Sequence, residues 1–265
     1  MADQPDGRGE PRSRIQPGHT IIFLGDHTSP DDAGYVRVLQ DVISRFHSGL
    51  NANLISAGSR GQTASGLRSP LLMQIVTSSK PDWLVVGIGL GDAMREPIAR
   101  RLLDEYRQQQ ARSEADEAEQ TFGPEFRVRR EDMGPASDIG REPELELLNL
   151  AAFQSDLTAA LSELEAAGVR PAVLTTIMVG NDPLNPVNGV LKLYNRAIRE
   201  AAKETGSLMI DIERAFKDIF DRAGNYKQKV SLTGPTGELN AQGMALLART
   251  ILAGFGVLPY PGYRP

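Results

Sequence analysis

Two residue types that carry much of enzyme chemistry are missing or scarce in this sequence. The chain of 265 residues has no cysteine, which excludes disulfides, thiol nucleophiles and cysteine metal sites and fits a reducing, cytoplasmic compartment. It has only three histidines, His19, His27 and His47, all in the first fifth of the chain. Any chemistry that needs an imidazole must therefore be built around these positions.

Long apolar segments and a secretory signal are also lacking. No apolar run approaches the roughly 20 residues that cross a bilayer, so we expect no membrane span. Residues 1–18 are rich in Pro, Gly and charge, which predicts a flexible tail. The formal net charge of -5 argues against nucleic-acid binding, because such binding depends on Lys and Arg that meet phosphates. The expected partners are a small-molecule ligand or a protein, with no cofactor and no metal.

Strand and helix patterns alternate along the rest of the chain. Short apolar runs predict strands, and apolar residues at helical spacing predict helices. The predicted strands are 20–24, 53–56, 82–88, 172–177 and 208–212, and the predicted helices are 35–46, 67–76, 147–167, 189–205 and 241–253. This alternation predicts a flavodoxin-like, three-layer α/β/α sandwich with a central parallel sheet, in a single domain over residues 19–265.

Residues 95–146 interrupt this pattern. Charged residues are dense there, Pro and Gly recur, and apolar positions are few. We expect a solvated helix over 97–120 and an irregular loop over 121–143. Since so few apolar residues would struggle to form a core, the segment is interpreted as an insertion into the domain, with a role as a lid over the site as an alternative.

Four short blocks stand where predicted strands end or close to the C-terminus. Open α/β sheets form their ligand crevices at such strand ends. The blocks are GDH at 25–27, AGSRGQT at 57–63, GLGD at 89–92 (after KPD at 80–82), and PTGELNAQG at 235–243. Each block alone is a weak signal, but their order along the chain is specific.

The ordered set resembles the blocks of the SGNH (GDSL) hydrolase superfamily, which read Gly-Asp-Ser, Ala-Gly-x-x-Gly-x-Thr, Gly-x-Asn-Asp and Asp-x-x-His. The segment YNRAIRE at 194–200 also resembles the helix before that family's late strand. The resemblance implies the SGNH-hydrolase fold and a site for ester hydrolysis. It also implies four replacements of functional side chains: serine by His27, the oxyanion-hole asparagine by Gly91, aspartate by Pro235, and histidine by Glu238.

These replacements remove the usual catalytic mechanism. Acyl transfer of this kind needs a hydroxyl activated by an imidazole, and donors aimed at the developing oxyanion. No histidine follows His47, so no realignment restores the base near the C-terminus. We therefore predict no confident catalytic residue at the four degenerate positions.

The resemblance places the candidate ligand-binding residues at the same blocks. Each has a structural alternative: the aspartate at 26 as a loop-shaping residue, the glycines as turn or close-approach positions, the histidine as a loop residue, and the glutamate as a solvated or capping residue. The candidates are Asp26, His27, Gly58, Gly91, Asp92 and Glu238.

Three functions remain open from the sequence. The first is a non-catalytic SGNH-like protein, a pseudoenzyme that binds a small ligand or a protein partner in the former active-site crevice. The second is an esterase or acylhydrolase with a rebuilt site, in which His27 acts as base or nucleophile and Glu238 orients it. The third is a structural or assembly role of the charged insertion. Because fold alone does not decide function, the site has to separate them.

Overall fold

Runs of β-branched and aliphatic residues form five short strands in one sheet. The computed structural model describes residues 13–26, 34–59, 61–122, 148–182, 185–225, 230–234 and 237–258. The strands are β1 (Thr20–Gly25), β2 (Asn53–Ser56), β3 (Trp83–Gly87), β4 (Arg170–Leu174) and β5 (Leu208–Ile210). All pairings are parallel, in the order β2-β1-β3-β4-β5.

Helices connect the strands and cover the sheet. They are α1 (Tyr35–Phe46), α2 (Pro70–Ser79), α3 (Leu90–Ala93), α4 (Pro97–Phe122), α5 (Leu150–Ala166), α6 (Val187–Thr205), α7 (Ile212–Asn225) and α8 (Ala241–Gly254). Gly206 ends α6 with φ of 72°, a left-handed conformation that glycine adopts without a Cβ penalty.

Alternating strand residues supply two hydrophobic cores, one on each face of the sheet. In β1, Ile22 and Leu24 pack with α2, α4, α5 and α6, whereas Ile21 and Phe23 pack with α1, α7 and α8. All four of these side chains are at most 1% exposed. Because a parallel strand is buried on both faces, its sequence is continuously apolar. The predicted three-layer α/β/α sandwich is confirmed.

The element predictions differ from the structure at several element ends and in one missed helix. The fifth strand, predicted at 208–212, spans Leu208–Ile210, and the helix predicted at 67–76 spans Pro70–Ser79. The fourth strand was expected at 172–177 but spans Arg170–Leu174, so residues 175–177 already belong to the loop after β4. Helix α7 was not predicted, although Ile212, Ala215, Phe216 and Phe220 have helical spacing and are buried.

The expected insertion at 95–146 begins as part of the core. Helix α4 agrees with the predicted helix at 97–120, but its first turns are not merely solvated, because Ile98, Ala99, Leu102 and Leu103 are buried against α5 and α6. The apolar positions at its start are therefore part of the hydrophobic core, and the insertion at 95–146 stays a prediction. The irregular loop predicted at 121–143 lies almost entirely outside the described residues. Among the helices that the structure describes, none combines the length and the apolar character that a membrane crossing requires.

Candidate functional site

The first and third blocks meet at the carboxyl ends of two neighbouring strands. β1 and β3 are paired with Gly25 beside Gly87, and the backbone N–H of Asp26 donates to the Gly87 carbonyl at 3.1 Å. The Asp26 carboxylate, on a residue only 7% exposed, accepts a hydrogen bond from the Gly91 backbone N–H at 2.5 Å. Asp26 therefore links the turn after β1 to helix α3, and this contact supports its predicted loop-shaping role.

The second block presses against the same glycine. A Cβ added to Gly91 would lie 2.5 Å from the carbonyl oxygen of Gln62 and 3.0 Å from the carbonyl carbon of Gly61. These are backbone atoms, which cannot rotate away as a flexible side chain could. Position 91 therefore has no room for a side chain in this arrangement, and glycine is there for a close approach of backbone to backbone.

Asp92 fixes the second block from its other side. Its two carboxylate oxygens accept the Ala64 backbone N–H at 3.1 and 3.2 Å. The Arg95 guanidinium adds a hydrogen bond to the Gly61 carbonyl at 3.1 Å. The turn at 61–64 is thus bound to α3 at both of its ends.

The surroundings of Asp92 also shift the pKa of its carboxyl. The pKa of its carboxyl is raised to about 6, mainly by burial and also by the nearby Asp26, against the lowering effects of the Ala64 hydrogen bond and the Arg95 charge. A carboxylate that titrates near neutral pH is able to hold or release a proton under ordinary conditions. Among the candidate residues that the structure describes, Asp92 has a clear shift in pKa.

The fourth block forms a hairpin beside the third. The Gly234 N–H donates to the Glu238 carbonyl at 2.7 Å, and the Asn240 N–H donates to the Leu232 carbonyl at 3.1 Å. Gly237, with φ of 91°, faces Leu90 so closely that a Cβ there would lie 2.9 Å from the Leu90 Cδ2. The hairpin therefore lies against α3.

Glu238 itself is exposed, and its carboxylate turns back over its own hairpin. Its Oε2 lies 2.9 Å from the place where a Cβ on Gly234 would be. Gly58 is buried two residues after β2 ends. His27 and Pro235 lie outside the described residues, so the pairing of His27 with Glu238 stays a prediction.

Sequence reasoning missed the loop after β4, which holds the hairpin in place. The Asn181 side-chain oxygen accepts the backbone N–H groups of Leu232 and Thr233 at 2.8 and 3.1 Å. The Thr233 hydroxyl donates to the Gly180 carbonyl at 2.6 Å, and the Gly180 N–H donates to the Gly234 carbonyl at 3.0 Å. Asparagine recurs at 181 and 185, between β4 and α6, and at 188 in the first turn of α6, and this was the available signal for a structured loop.

The segment 194–200 acts as a structural connector rather than as part of the crevice. The Asn195 oxygen accepts the Thr176 backbone N–H at 2.6 Å. Arg199 donates to the carboxylates of Asp211 at 2.9 Å and Glu213 at 2.7 Å. These bonds tie α6 to the strand ends of β4 and β5 and explain the residue types without a catalytic role.

Comparison with known proteins agrees with this arrangement. The model of the GDSL-like lipase/acylhydrolase family matches residues 23–246 of the chain. The chain belongs to this family. A related acetylxylan esterase from Geobacillus stearothermophilus is 19% identical over an alignment of 226 residues, and the match covers 78% of this GDSL-like chain and 81% of that protein.

Solved structures show that this GDSL-like chain shares its fold with esterases. The crystal structure of the Geobacillus stearothermophilus acetylxylan esterase has a TM-score of 0.65 at 18% identity, covering 94% of this chain and 100% of that one. An α/β hydrolase from the metagenome of Lake Arreo has a TM-score of 0.63 at 18% identity, with 93% and 99% coverage. Structures of the esterase also include catalytic mutants in which a serine, an aspartate or a histidine is replaced by alanine.

The site of this GDSL-like chain offers few metal ligands. Among the residues that the structure describes, no group of three or more His, Cys, Asp or Glu side chains is placed to hold a metal ion. Asp26 and Asp92 both use carboxylate oxygens on backbone N–H groups. Their role in this arrangement is to hold backbone segments together.

Proposed function

We propose that this GDSL-like protein is non-catalytic and binds a small ligand or a protein partner in the crevice between its first, third and fourth blocks. One observation carries the proposal: position 91, where the family places an asparagine donor, is packed against the Gln62 carbonyl and its N–H is already donated to Asp26. An oxyanion donor must point into an open site, 2.7–3.1 Å from the developing charge. This contact supports a role in shaping the crevice instead.

The residues at the other catalytic positions of the family also support a non-catalytic role. The related acetylxylan esterase has catalytic mutants at a serine, an aspartate and a histidine. In this chain the corresponding family blocks carry His27, Pro235 and Glu238, and no histidine follows His47. Removal of one oxyanion donor alone raises an acyl-transfer barrier by about 3 kcal/mol, and loss of a nucleophile or base lowers turnover by orders of magnitude.

A second candidate is an esterase or acylhydrolase with a rebuilt site. One observation favours it: the hairpin that carries Glu238 packs through Gly237 on Leu90 beside the crevice. A general base works best when its pKa lies near the operating pH. In this candidate His27 supplies the base or nucleophile and Glu238 orients it.

Hydrolysis assays separate the two candidates. Purified protein is incubated with p-nitrophenyl acetate and with acetylated xylo-oligosaccharides, beside the variants His27→Ala and His47→Ala, and its serines are probed with a fluorophosphonate. The non-catalytic proposal expects no turnover above buffer and no labelling, because the chain lacks the serine-imidazole pair. Turnover that disappears in His27→Ala but persists in His47→Ala would overturn it in favour of the rebuilt esterase.

A further inference from the structure

A groove separate from the family crevice opens at the carboxyl end of β4. It lies between the first half of α6 and helix α7, with the loop after β4 as its floor, and has a volume of about 70 Å³. Since one water needs about 10–15 Å³ of such space, the groove has room for a ligand of a few non-hydrogen atoms. Its floor contacts the third block, because the methyl group of Thr176 lies 2.9 Å from where a Cβ on Gly89 would be. The same loop carries Asn181, which holds the hairpin of the fourth block.

Two buried side chains lining the groove keep unused hydrogen-bond donors. Thr176 is 2% exposed, and its hydroxyl has no hydrogen-bond partner. Asn195 is 1% exposed; its oxygen accepts the Thr176 N–H, and among the described residues its amide nitrogen donates no hydrogen bond. Buried polar groups are seldom left without partners, so the Thr176 hydroxyl indicates that an acceptor belongs in the groove, beside the amide nitrogen of Asn195.

The charges around the groove leave one cation without an ion pair. Glu213 is paired with Arg199 at 2.7 Å, and Asp221 is paired with Lys217. Lys192 lies one turn before Asn195 on α6, is exposed, and forms no ion pair within the described part of the chain. The lysine and the two unused donors therefore favour an anionic acceptor.

The rest of the lining is apolar. Met178 and Leu191 are 8% and 2% exposed, and Phe220 on α7 is 8% exposed. A small inorganic anion would make no favourable contact with these side chains. A ligand with an apolar body and one anionic end would satisfy both parts of the lining.

We propose that the groove between α6 and α7 binds a short-chain carboxylate, with the carboxylate at Thr176, Asn195 and Lys192 and the alkyl chain against Met178, Leu191 and Phe220. This site does not depend on the crevice or on hydrolysis. A result that refutes this site would therefore leave the proposed function unaffected, and a result that refutes the proposed function would leave this site unaffected.

Titration with butanoate, followed by ligand-observed NMR and calorimetry, tests the site. Six non-hydrogen atoms in a half-open groove predict a Kd on the order of 1 mM. Butanamide has the same shape without the charge, and inorganic phosphate has the charge without the alkyl chain. Both should bind at least about 5-fold more weakly, because each loses one class of contact.

Two variants assign binding to the groove. Thr176→Val removes only the unpartnered hydroxyl and Lys192→Gln only an exposed charge, so both should fold; each is expected to weaken butanoate binding roughly 5- to 10-fold. Lys203→Gln, an exposed lysine near the other end of α6, is the matched control and should bind like the wild type. The proposal is wrong if butanoate shows no saturable binding, or if all three variants bind it equally well.

Discussion

Replacement of Asp92 by asparagine should stabilise the protein above neutral pH. In the folded protein, burial raises the pKa of this carboxyl from 3.8 to about 6, with a further upward contribution from Asp26. A raised pKa means that the folded state holds the proton more tightly than the unfolded state. The stability of the wild type should therefore increase as the pH falls from about 6 to about 4, and the cost of the buried charge should be complete above about pH 6.

The shift sets an upper limit on the effect. A difference of about two pKa units corresponds to about 3 kcal/mol, and solvent screening at this half-buried position reduces that to about 1–2 kcal/mol. Asp92→Asn removes the charge but keeps a side-chain oxygen that can accept the Ala64 N–H, now at 3.1 Å. The variant should gain about 1–2 kcal/mol at pH 8 and almost nothing at pH 4, where the wild-type carboxyl is largely protonated.

Urea unfolding at several pH values measures this difference. The single tryptophan, Trp83, is 7% exposed and packs edge-on against Phe255 with ring centroids 5.1 Å apart, so its fluorescence should follow global unfolding. Asp104→Asn on α4 is the control, because that side chain is 69% exposed and its removal should change stability by less than about 0.5 kcal/mol at any pH. A stability difference for Asp92→Asn that is the same at pH 4 and pH 8 would refute the reasoning.

Two further substitutions test contacts around the strand ends. Gly91→Asn places a Cβ 2.5 Å from the Gln62 carbonyl and should lower the free energy of unfolding by about 1–3 kcal/mol. The control Gly49→Ala meets no atom within 4 Å and should change the free energy of unfolding by less than about 1 kcal/mol. Urea unfolding compares the two variants, and equal effects would contradict the close approach at position 91. Arg199→Met leaves the Asp211 carboxylate without its 2.9 Å partner and should cost about 1–3 kcal/mol in the same assay, with a smaller loss at low pH where carboxylates are protonated; a neutral effect would show that the ion pair adds nothing.

The sequence predicted the central strands β1, β3 and β4 well because they are buried on both faces. Strands such as β3, with Leu84 and Val86 on one face and Trp83 and Val85 on the other, are continuously apolar and end at glycine. Such runs are distinct from amphipathic helices at this length. The start of α4 was harder to predict, because its few apolar residues become buried only through packing with α5 and α6, which lie far away in the sequence.

The sequence predicted where the blocks lie in the fold, but not which contacts their residues form. The blocks put Asp26, Gly91 and Asp92 near neighbouring strand ends, and Gly25 and Gly87, the last residues of β1 and β3, are paired in the sheet. The proton affinity of Asp92 could not be read from its block, because it depends on burial and on a backbone N–H that comes from Ala64, far away in sequence. The same holds for the hairpin, whose position is set by Asn181 in a different loop.

The contacts around Gly91 link the first, second and third blocks to one another. Its N–H donates to Asp26, and a Cβ at this position would lie 2.5 Å from the Gln62 carbonyl oxygen. Asp92 holds the same turn by accepting the Ala64 N–H. A side chain at position 91 must push the turn away and so loosens the Ala64 contact as well. A single substitution toward the family's asparagine therefore cannot supply an oxyanion donor without rebuilding the second block, and restoring serine at position 27 alone should leave hydrolysis without that stabilisation.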